Sequence, residues 1–383
     1  MKKISVIGAG TMGLGIAQLA ASNNYDVVLV DKEEKVLKEA KEKIEKILLR
    51  LVNKNKIDNH SFENIFNKIT FTTSLEEIKD SVLVVEAIVE DLEIKKNIFK
   101  QIESLVSKGC VLATNTSSLS VTSIASSCNF SNRVIGIHFF NPAPIMPLVE
   151  IIAAIQTDEK VLEKSIKIIK GFGKTVVLAK DTPGFIVNRV ARPFYGEAIR
   201  IVEENIASVA TIDWAMTELG GFRMGPFELM DFIGNDVNYA VTESVFKAFF
   251  YDPRYKPSFT QKRMCEAGYL GRKTKKGYYD YSKEKSDIIK DEMLGQEIFW
   301  RILVMLINEA ADAFFLKIAS KEDIDLAMTK GVNYPKGLLQ WADEIGLDKV
   351  LNKLESLQKE YGEDRYRPSP ILRNLIKQDK NFY

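Results

Sequence analysis

A chain of 383 residues exceeds what one ordinary hydrophobic core supports, and with 46% hydrophobic and 27% charged residues it reads as a soluble globular protein of two or three domains. Its 53 basic residues are balanced by 52 acidic ones, a net charge of +1, so nothing in the overall balance points to a nucleic-acid or membrane partner. Three cysteines, Cys110, Cys128 and Cys265, are odd in number and follow no metal or redox spacing, so no disulfide framework is expected and the compartment reads as the reducing cytoplasm.

The first twenty-two residues carry two lysines, an uncharged stretch and small residues, as a secretory signal does. Gly8, Gly10, Gly13 and Gly15 argue against export, because they break an apolar helix but suit a strand, a tight turn and a following helix. No other apolar run is long and unbroken enough to cross a bilayer. KISVIG is a short strand, GAGTMG the turn, and GLGIAQLAASN an amphipathic helix, so a GxGxxG pattern stands in the context it requires. Gly8 permits the turn, Gly10 lets backbone approach a pyrophosphate, and Gly13 allows close packing of helix on strand. Thr11 and Met12 stand between them at the helix N-terminus, where free N–H groups and the helix dipole favour phosphate.

Asp31 ends the next apolar run, YDVVLVD, twenty-three residues after Gly8, where it would accept hydrogen bonds from an adenosine ribose. A carboxylate there repels a 2′-phosphate, which favours NAD over NADP; the same aspartate could instead cap the helix that follows. That helix, EEKVLKEAKEKIEKILLRLVNKNKI, presents a mostly solvated face. Apolar runs at ITFTT, SVLVVEAIVE, CVLATN, RVIGIHFF and PLVEIIAA then alternate with helical stretches, the pattern of a Rossmann-type doubly wound α/β sheet.

His138, one of only two histidines, lies in VIGIHFFNPAPIMPLVE, twenty-one residues after Ser117 of NTSS and twelve before Glu150. A histidine with a carboxylate downstream, in a chain that begins with a dinucleotide loop, suggests oxidation of an alcohol: the ring takes the proton while the cofactor takes the hydride. A free imidazole titrates at roughly 6.5, close enough to neutrality to accept and return a proton. Each residue also has a plainer role open to it. His138 could be a paired core residue, Ser117 a helix cap, Glu150 an outward position on an edge strand, and Asn188 of GFIVNR a helix buttress.

Taken together, GAGTMG, VVEAIVEDLEIKKNIF, NTSSLS, HFFNPAPIMPLVE, DTPGFIVNR and GRKTKKGYYDY stand in the order and spacing of the L-3-hydroxyacyl-CoA dehydrogenases, and the chain resembles that family from Met1 to about Ser282. The resemblance implies an NAD-binding domain followed by a helical domain, with an acyl-CoA substrate in the cleft between them. It makes His138 the catalytic base, Glu150 its paired carboxylate, and Ser117 and Asn188 the polar groups around the substrate oxygen. It further implies cofactor contacts from Glu90, Lys95, Asn141 and Lys273, and places Lys54 and Lys56 near the CoA phosphates, where solvated surface is the alternative. No metal is implied, and no His/Cys/Asp cluster has ligand spacing. The reaction implied is NAD-dependent oxidation of a short-chain (S)-3-hydroxyacyl-CoA such as 3-hydroxybutyryl-CoA, or its reverse. The alternatives are a relative acting on a sugar acid or carnitine, and a non-catalytic NAD-binding protein.

The second half contains a repeat. A shift of 112 places Arg192–Asp236 on Val304–Asp348 without a gap, with fifteen of forty-five residues identical, and RYKPS at Arg254 recurs as RYRPS at Arg365. Three segments follow: an NAD-binding domain at 1–184, a helical domain at 185–290, and a second helical copy at 291–383. Asn188 corresponds to Trp300, and the second copy has no GRKTKKG, so it reads as structural. Single-copy members of the family dimerise through their helical domains; a tandem copy could fill the partner's place, giving an intramolecular pseudo-dimer and a possible monomer.

Overall fold

β1 (Lys3–Ile7) runs into the glycine loop and α1 (Thr11–Ser22), so the N-terminal segment is a strand–turn–helix and not an export helix. This computed structural model describes residues 2–283, 288 and 290–383. Met1, where the first domain was expected to start, and residues 284–287 and 289, inside the expected first helical copy, lie outside the described residues. The chain divides into two compact units, Met1–Thr182 and Pro183–Tyr383.

In the first unit the chain continues through β2 (Asp26–Val30), α2 (Glu34–Asn53), α3 (Asn59–Asn67), β3 (Ile69–Thr72), β4 (Ser81–Glu86), α4 (Leu92–Leu105), β5 (Val111–Thr114), α5 (Val121–Ala125), β6 (Val134–Phe139), β7 (Leu148–Ala153), α6 (Glu159–Gly171) and β8 (Thr175–Lys180). The sheet order is β3-β2-β1-β4-β5-β6-β7-β8. Every pairing is parallel except β6 with β7. Helices cover the sheet, so β1, β2, β4 and β5 bury nearly every side chain and read as unbroken apolar runs. The edge strand β8, TVVLAK, alternates buried and exposed positions and carries two polar ends, which is why its short run was missed among the strands of the sequence.

Two backbone constraints shape the first turn. Gly8 has φ +102°, and a Cβ there would stand 2.6 Å from the Ala87 carbonyl oxygen; a Cβ on Gly13 would stand 1.8 Å from that of Gly8. The loops after β1 and β4 therefore touch where the strand order reverses, the place where open α/β sheets hold their ligands.

The second unit is all helical: α7 (Val187–Val190), α8 (Arg192–Glu203), α9 (Val209–Trp214), a π-helical turn at Ala215–Leu219, α10 (Pro226–Ile233), α11 (Asn235–Ala248), α12 (Phe259–Glu266), α13 (Glu292–Phe315), α14 (Lys321–Gly331), α15 (Leu338–Ile345), α16 (Leu347–Tyr361) and α17 (Pro370–Lys377). The repeat found in the sequence is visible in matched contacts. Asp213 accepts from the N–H groups of Phe227 and Glu228, at 2.9 and 2.8 Å, and from the Tyr279 hydroxyl at 2.8 Å. Asp325 accepts from Leu339 and Gln340, at 2.9 and 3.0 Å, and from Tyr383 at 3.1 Å. Gly225 and Gly337 are glycines in both copies because a Cβ would strike that aspartate.

The copies also exchange partners. Arg189 Nε donates to Glu309 at 2.6 Å, and its counterpart Arg301 donates to Glu197 at 3.1 Å. Tyr255 and Tyr366, from the repeated RYKPS and RYRPS, donate to the same two glutamates. Each arginine thus crosses to the glutamate of the other copy, around α13, a helix buried along most of its length.

Candidate active site

The antiparallel pairing of β6 with β7 sets His138 directly opposite Glu150. Cross-strand partners project from the same face with Cβ atoms about 5 Å apart, so strand register alone brings ring and carboxylate together. Both are buried, and Nδ1 lies 2.6 Å from Glu150 Oε2. Glu150 stands on an interior strand, not an edge. An ionised carboxylate only accepts, so the pairing puts the hydrogen on Nδ1 and makes Nε2 the accepting nitrogen. The Phe140 ring packs on the imidazole with centroids 4.5 Å apart.

The loop after β1 fits a dinucleotide. A Cβ on Gly10 would meet no atom within 4 Å, so packing within the chain does not require glycine there. Gly10 is the N-cap of α1 with no side-chain cap, and the first turn holds no acidic residue, which leaves the N–H groups at Thr11 and Met12 directed at an anion site. Asp31 takes the Ala9 N–H on Oδ2 at 2.8 Å and the Glu33 N–H on Oδ1 at 3.2 Å. It braces the glycine loop as well as the start of α2, and each oxygen keeps a lone pair for a ribose hydroxyl.

Lys95 belongs to a buried network that the sequence did not disclose, and Glu90 closes it from the exposed side. Glu86, fully buried at the end of β4, accepts from Lys95 at 2.5 Å, the Ile88 N–H at 2.8 Å and Thr114 at 2.7 Å. Lys95 also lies 3.2 Å from Glu90, whose other oxygen accepts from Thr116 at 2.5 Å and the Ser117 N–H at 3.0 Å. Burial raises the Glu90 carboxyl, but Lys95 and the donors of Thr116 and Ser117 outweigh it and hold the group below the usual glutamate range. Lys95 is therefore not a solvated lysine: two carboxylates engage it, and through Glu90 it fixes the segment that carries Ser117. The signal was present, since an acid closing the apolar run SVLVVE needs a buried partner. Ser117 does not cap α5; Ser120 does, accepting from Ser123 at 3.1 Å.

Asn141 is exposed in the loop between β6 and β7. Lys174, another residue the sequence did not single out, clamps that loop by donating to the carbonyls of Ala143, Pro144 and Met146 at 2.7, 3.3 and 2.7 Å, and burial lowers its pKa. The loops carrying Asp31, Glu90, Ser117 and Asn141 all leave the carboxyl ends of parallel strands. Asn188, in α7 of the helical unit, is half-buried, and its carbonyl accepts from Arg192 at 2.9 Å. Lys273 binds both oxygens of Asp236, at 2.6 and 2.7 Å, so its charge is met within its own unit. Lys54 and Lys56 are exposed at the end of α2. Among the described residues no group of three or more His, Cys, Asp or Glu could hold a metal ion, and no helix is long and apolar enough to cross a membrane.

A doubly wound sheet with a glycine loop and a ribose-side acid at its switch point, and a carboxylate-paired histidine on β6 of the same sheet, defines an NAD-binding oxidoreductase. Residues 3–182 match the model of the 3-hydroxyacyl-CoA dehydrogenase NAD-binding domain, and residues 184–281 and 298–381 each match that of the C-terminal domain. The chain is 36% identical to 3-hydroxyadipyl-CoA dehydrogenase of Escherichia coli, over 97% of each protein. It is 41% identical to 3-hydroxybutyryl-CoA dehydrogenase of Clostridioides difficile, over 73% of this chain and all of that one. The crystal structure of an E. coli K12 3-hydroxybutyryl-CoA dehydrogenase superposes with a TM-score of 0.94 at 35% identity, covering 97% of this chain and 98% of the other. The chain belongs to the 3-hydroxyacyl-CoA dehydrogenase family.

Proposed function

We propose that this protein interconverts short-chain (S)-3-hydroxyacyl-CoA and 3-oxoacyl-CoA thioesters, 3-hydroxybutyryl-CoA among them, with NAD as the redox partner. The observation that carries the reading is the His138–Glu150 pair, 2.6 Å apart, in a domain matching the family's NAD-binding model. Bound NAD supplies the hydride acceptor. The glycine loop and the N-terminus of α1 hold its pyrophosphate, and Asp31 its ribose. His138 Nε2 takes the hydroxyl proton as the substrate C3–H bond breaks, and returns it when a ketone is reduced. Glu150 keeps the proton on Nδ1 and stabilises the imidazolium that forms. Ser117 and Asn188 donate to the C3 oxygen as it gains negative charge. Glu90 and Asn141 act on the cofactor side, Glu90 with Lys95 behind it.

Residues 1–184 then form the cofactor domain, 185–290 the working helical copy, and 291–383 a structural copy standing where a second subunit would. The reciprocal pairs Arg189–Glu309 and Arg301–Glu197 support this pseudo-dimer, since a two-fold interface exchanges identical contacts. A monomer is expected by light scattering; a dimer joined through the first helical copies would reject it. Three free cysteines suit the cytoplasm. The test of the main reading is NADH consumption with acetoacetyl-CoA against free acetoacetate: turnover of the thioester supports it, and turnover of the free acid alone defeats it.

A further inference from the structure

Arg192, at the start of α8, is buried, yet none of its contacts is negative. Nε donates to the Asn188 carbonyl at 2.9 Å, Nη1 to the Thr242 hydroxyl at 3.1 Å, and the guanidinium lies 4.9 Å from the Tyr195 ring centroid. Nη2 has no hydrogen-bond partner among the described residues. The other buried arginines of the unit are matched: Arg189 with Glu309 and Asp312, Arg301 with Glu197 and Glu204, Arg365 with Glu197 and Glu363. An arginine does not shed its proton to escape burial, so a cation without a counter-charge is costly unless an anion joins it.

The surroundings suit an anion. Arg192 lines a narrow crevice with Arg200, Arg254, Lys256, Thr242 and Gln261, and no aspartate or glutamate lines it. Tyr334, from the second copy, adds a buried hydroxyl with no partner, near enough to Arg192 for the guanidinium charge to act on it.

We propose that Arg192 binds a carboxylate, the far end of a dicarboxylic 3-hydroxyacyl thioester, and so determines which acyl chains the enzyme prefers. This rests on the function proposed above, with Asn188 at the C3 oxygen. The Arg192 guanidinium donates to the Asn188 carbonyl at 2.9 Å, which sets it beside the residue placed at that oxygen. From C3 of a six-carbon diacid, three bonds reach the terminal carboxyl carbon over about 4 Å, and an arginine–carboxylate contact adds about 3 Å. A four-carbon acyl chain ends in a methyl group and leaves the guanidinium unmatched.

The test compares kcat/KM for 3-hydroxyadipyl-CoA and 3-hydroxyhexanoyl-CoA, equal in length and differing in the terminal carboxylate. Wild type should favour the diacid by about tenfold or more. Arg192→Met should bring that ratio to about one, chiefly through KM, and Arg192→Lys should fall between. Because both substrates use Asn188, a disturbance of that residue or of folding cancels in the ratio. Equal use of both thioesters by wild type, or an unchanged ratio in Arg192→Met, overturns the assignment. Chloride replacing gluconate at constant ionic strength should raise KM for the diacid alone; equal inhibition of both substrates would make the occupant a free inorganic anion and also overturn it. If no CoA thioester is turned over, the function proposed above falls and this inference with it; if hexanoyl and adipyl thioesters turn over alike, only the role of Arg192 falls.

Discussion

Replacing Glu150 by glutamine leaves shape and volume almost unchanged and removes one buried charge. The glutamine oxygen can still accept from Nδ1, so the ring keeps its place, but the imidazolium formed during alcohol oxidation loses its counter-ion. With Nδ1 and Oε2 2.6 Å apart, the two charge centres stand about 4 Å from each other. At an effective dielectric of ~20 the attraction is about 4 kcal/mol. Since the charge on the ring exists only as the proton arrives, the loss falls on the chemical step, about a thousandfold in kcat. The assay is NADH formation from 3-hydroxybutyryl-CoA, beside a fluorescence titration of NADH and a thermal melt. NADH affinity should stay at the wild-type level in a folded variant. A kcat within about tenfold of wild type would refute the reasoning, because the pair would then supply less than about 1.4 kcal/mol to the step.

Other consequences can be checked together. Gly10→Ala should fold normally, since its Cβ meets nothing within 4 Å, and lose NADH affinity, whereas Gly13→Ala, 1.8 Å from a carbonyl oxygen, should lower the melting temperature itself; equal melting of the two variants would contradict the distinction. Arg301→Met leaves Glu197 and Glu204 with Arg365, at 3.5 and 3.9 Å, as their remaining cation and should destabilise the helical unit by about 1–3 kcal/mol, read as a lower urea midpoint. The Glu90 carboxyl lies below its ordinary 4.5 in the folded protein, so the stability it contributes is complete above that value and lost as pH falls through the depressed one. The melting gap between wild type and Glu90→Gln should accordingly close on acidification below 4.5, and a gap independent of pH would count against the Lys95–Glu90 pairing.

Much of the site was legible because dinucleotide loops and paired strands follow local rules. The glycine spacing stated its own backbone demands, and Gly8 and Gly13 meet them at close approach to Ala87 and to each other. His138 and Glu150 stand twelve residues apart, the span of a hairpin with a long loop, and the antiparallel register set them face to face. The burial of Lys95 was not legible: on a helix rich in charge nothing marks it off from a solvated lysine, and only the fold carries it to Glu86 at the end of β4. Lys174 gave no signal at all, because its partners are backbone carbonyls, which every sequence supplies. The alternative of Ser117 as a helix cap falls away, because Ser120, three residues on, caps that helix.

The chain by itself determined the alternation of strand and helix, the nucleotide loop, the histidine with its acid, and the duplication of the helical segment, since periodicity, glycine placement and repetition are all written along one dimension. Tertiary structure alone decided which charges would be buried together. Glu86 with Lys95, Arg189 with Glu309 and Arg301 with Glu197 are distant in sequence or hidden among many like residues, and burial selects them because an ion removed from water must find its opposite within reach. The same requirement makes Arg192, buried without such an opposite, the residue whose purpose the sequence could not announce.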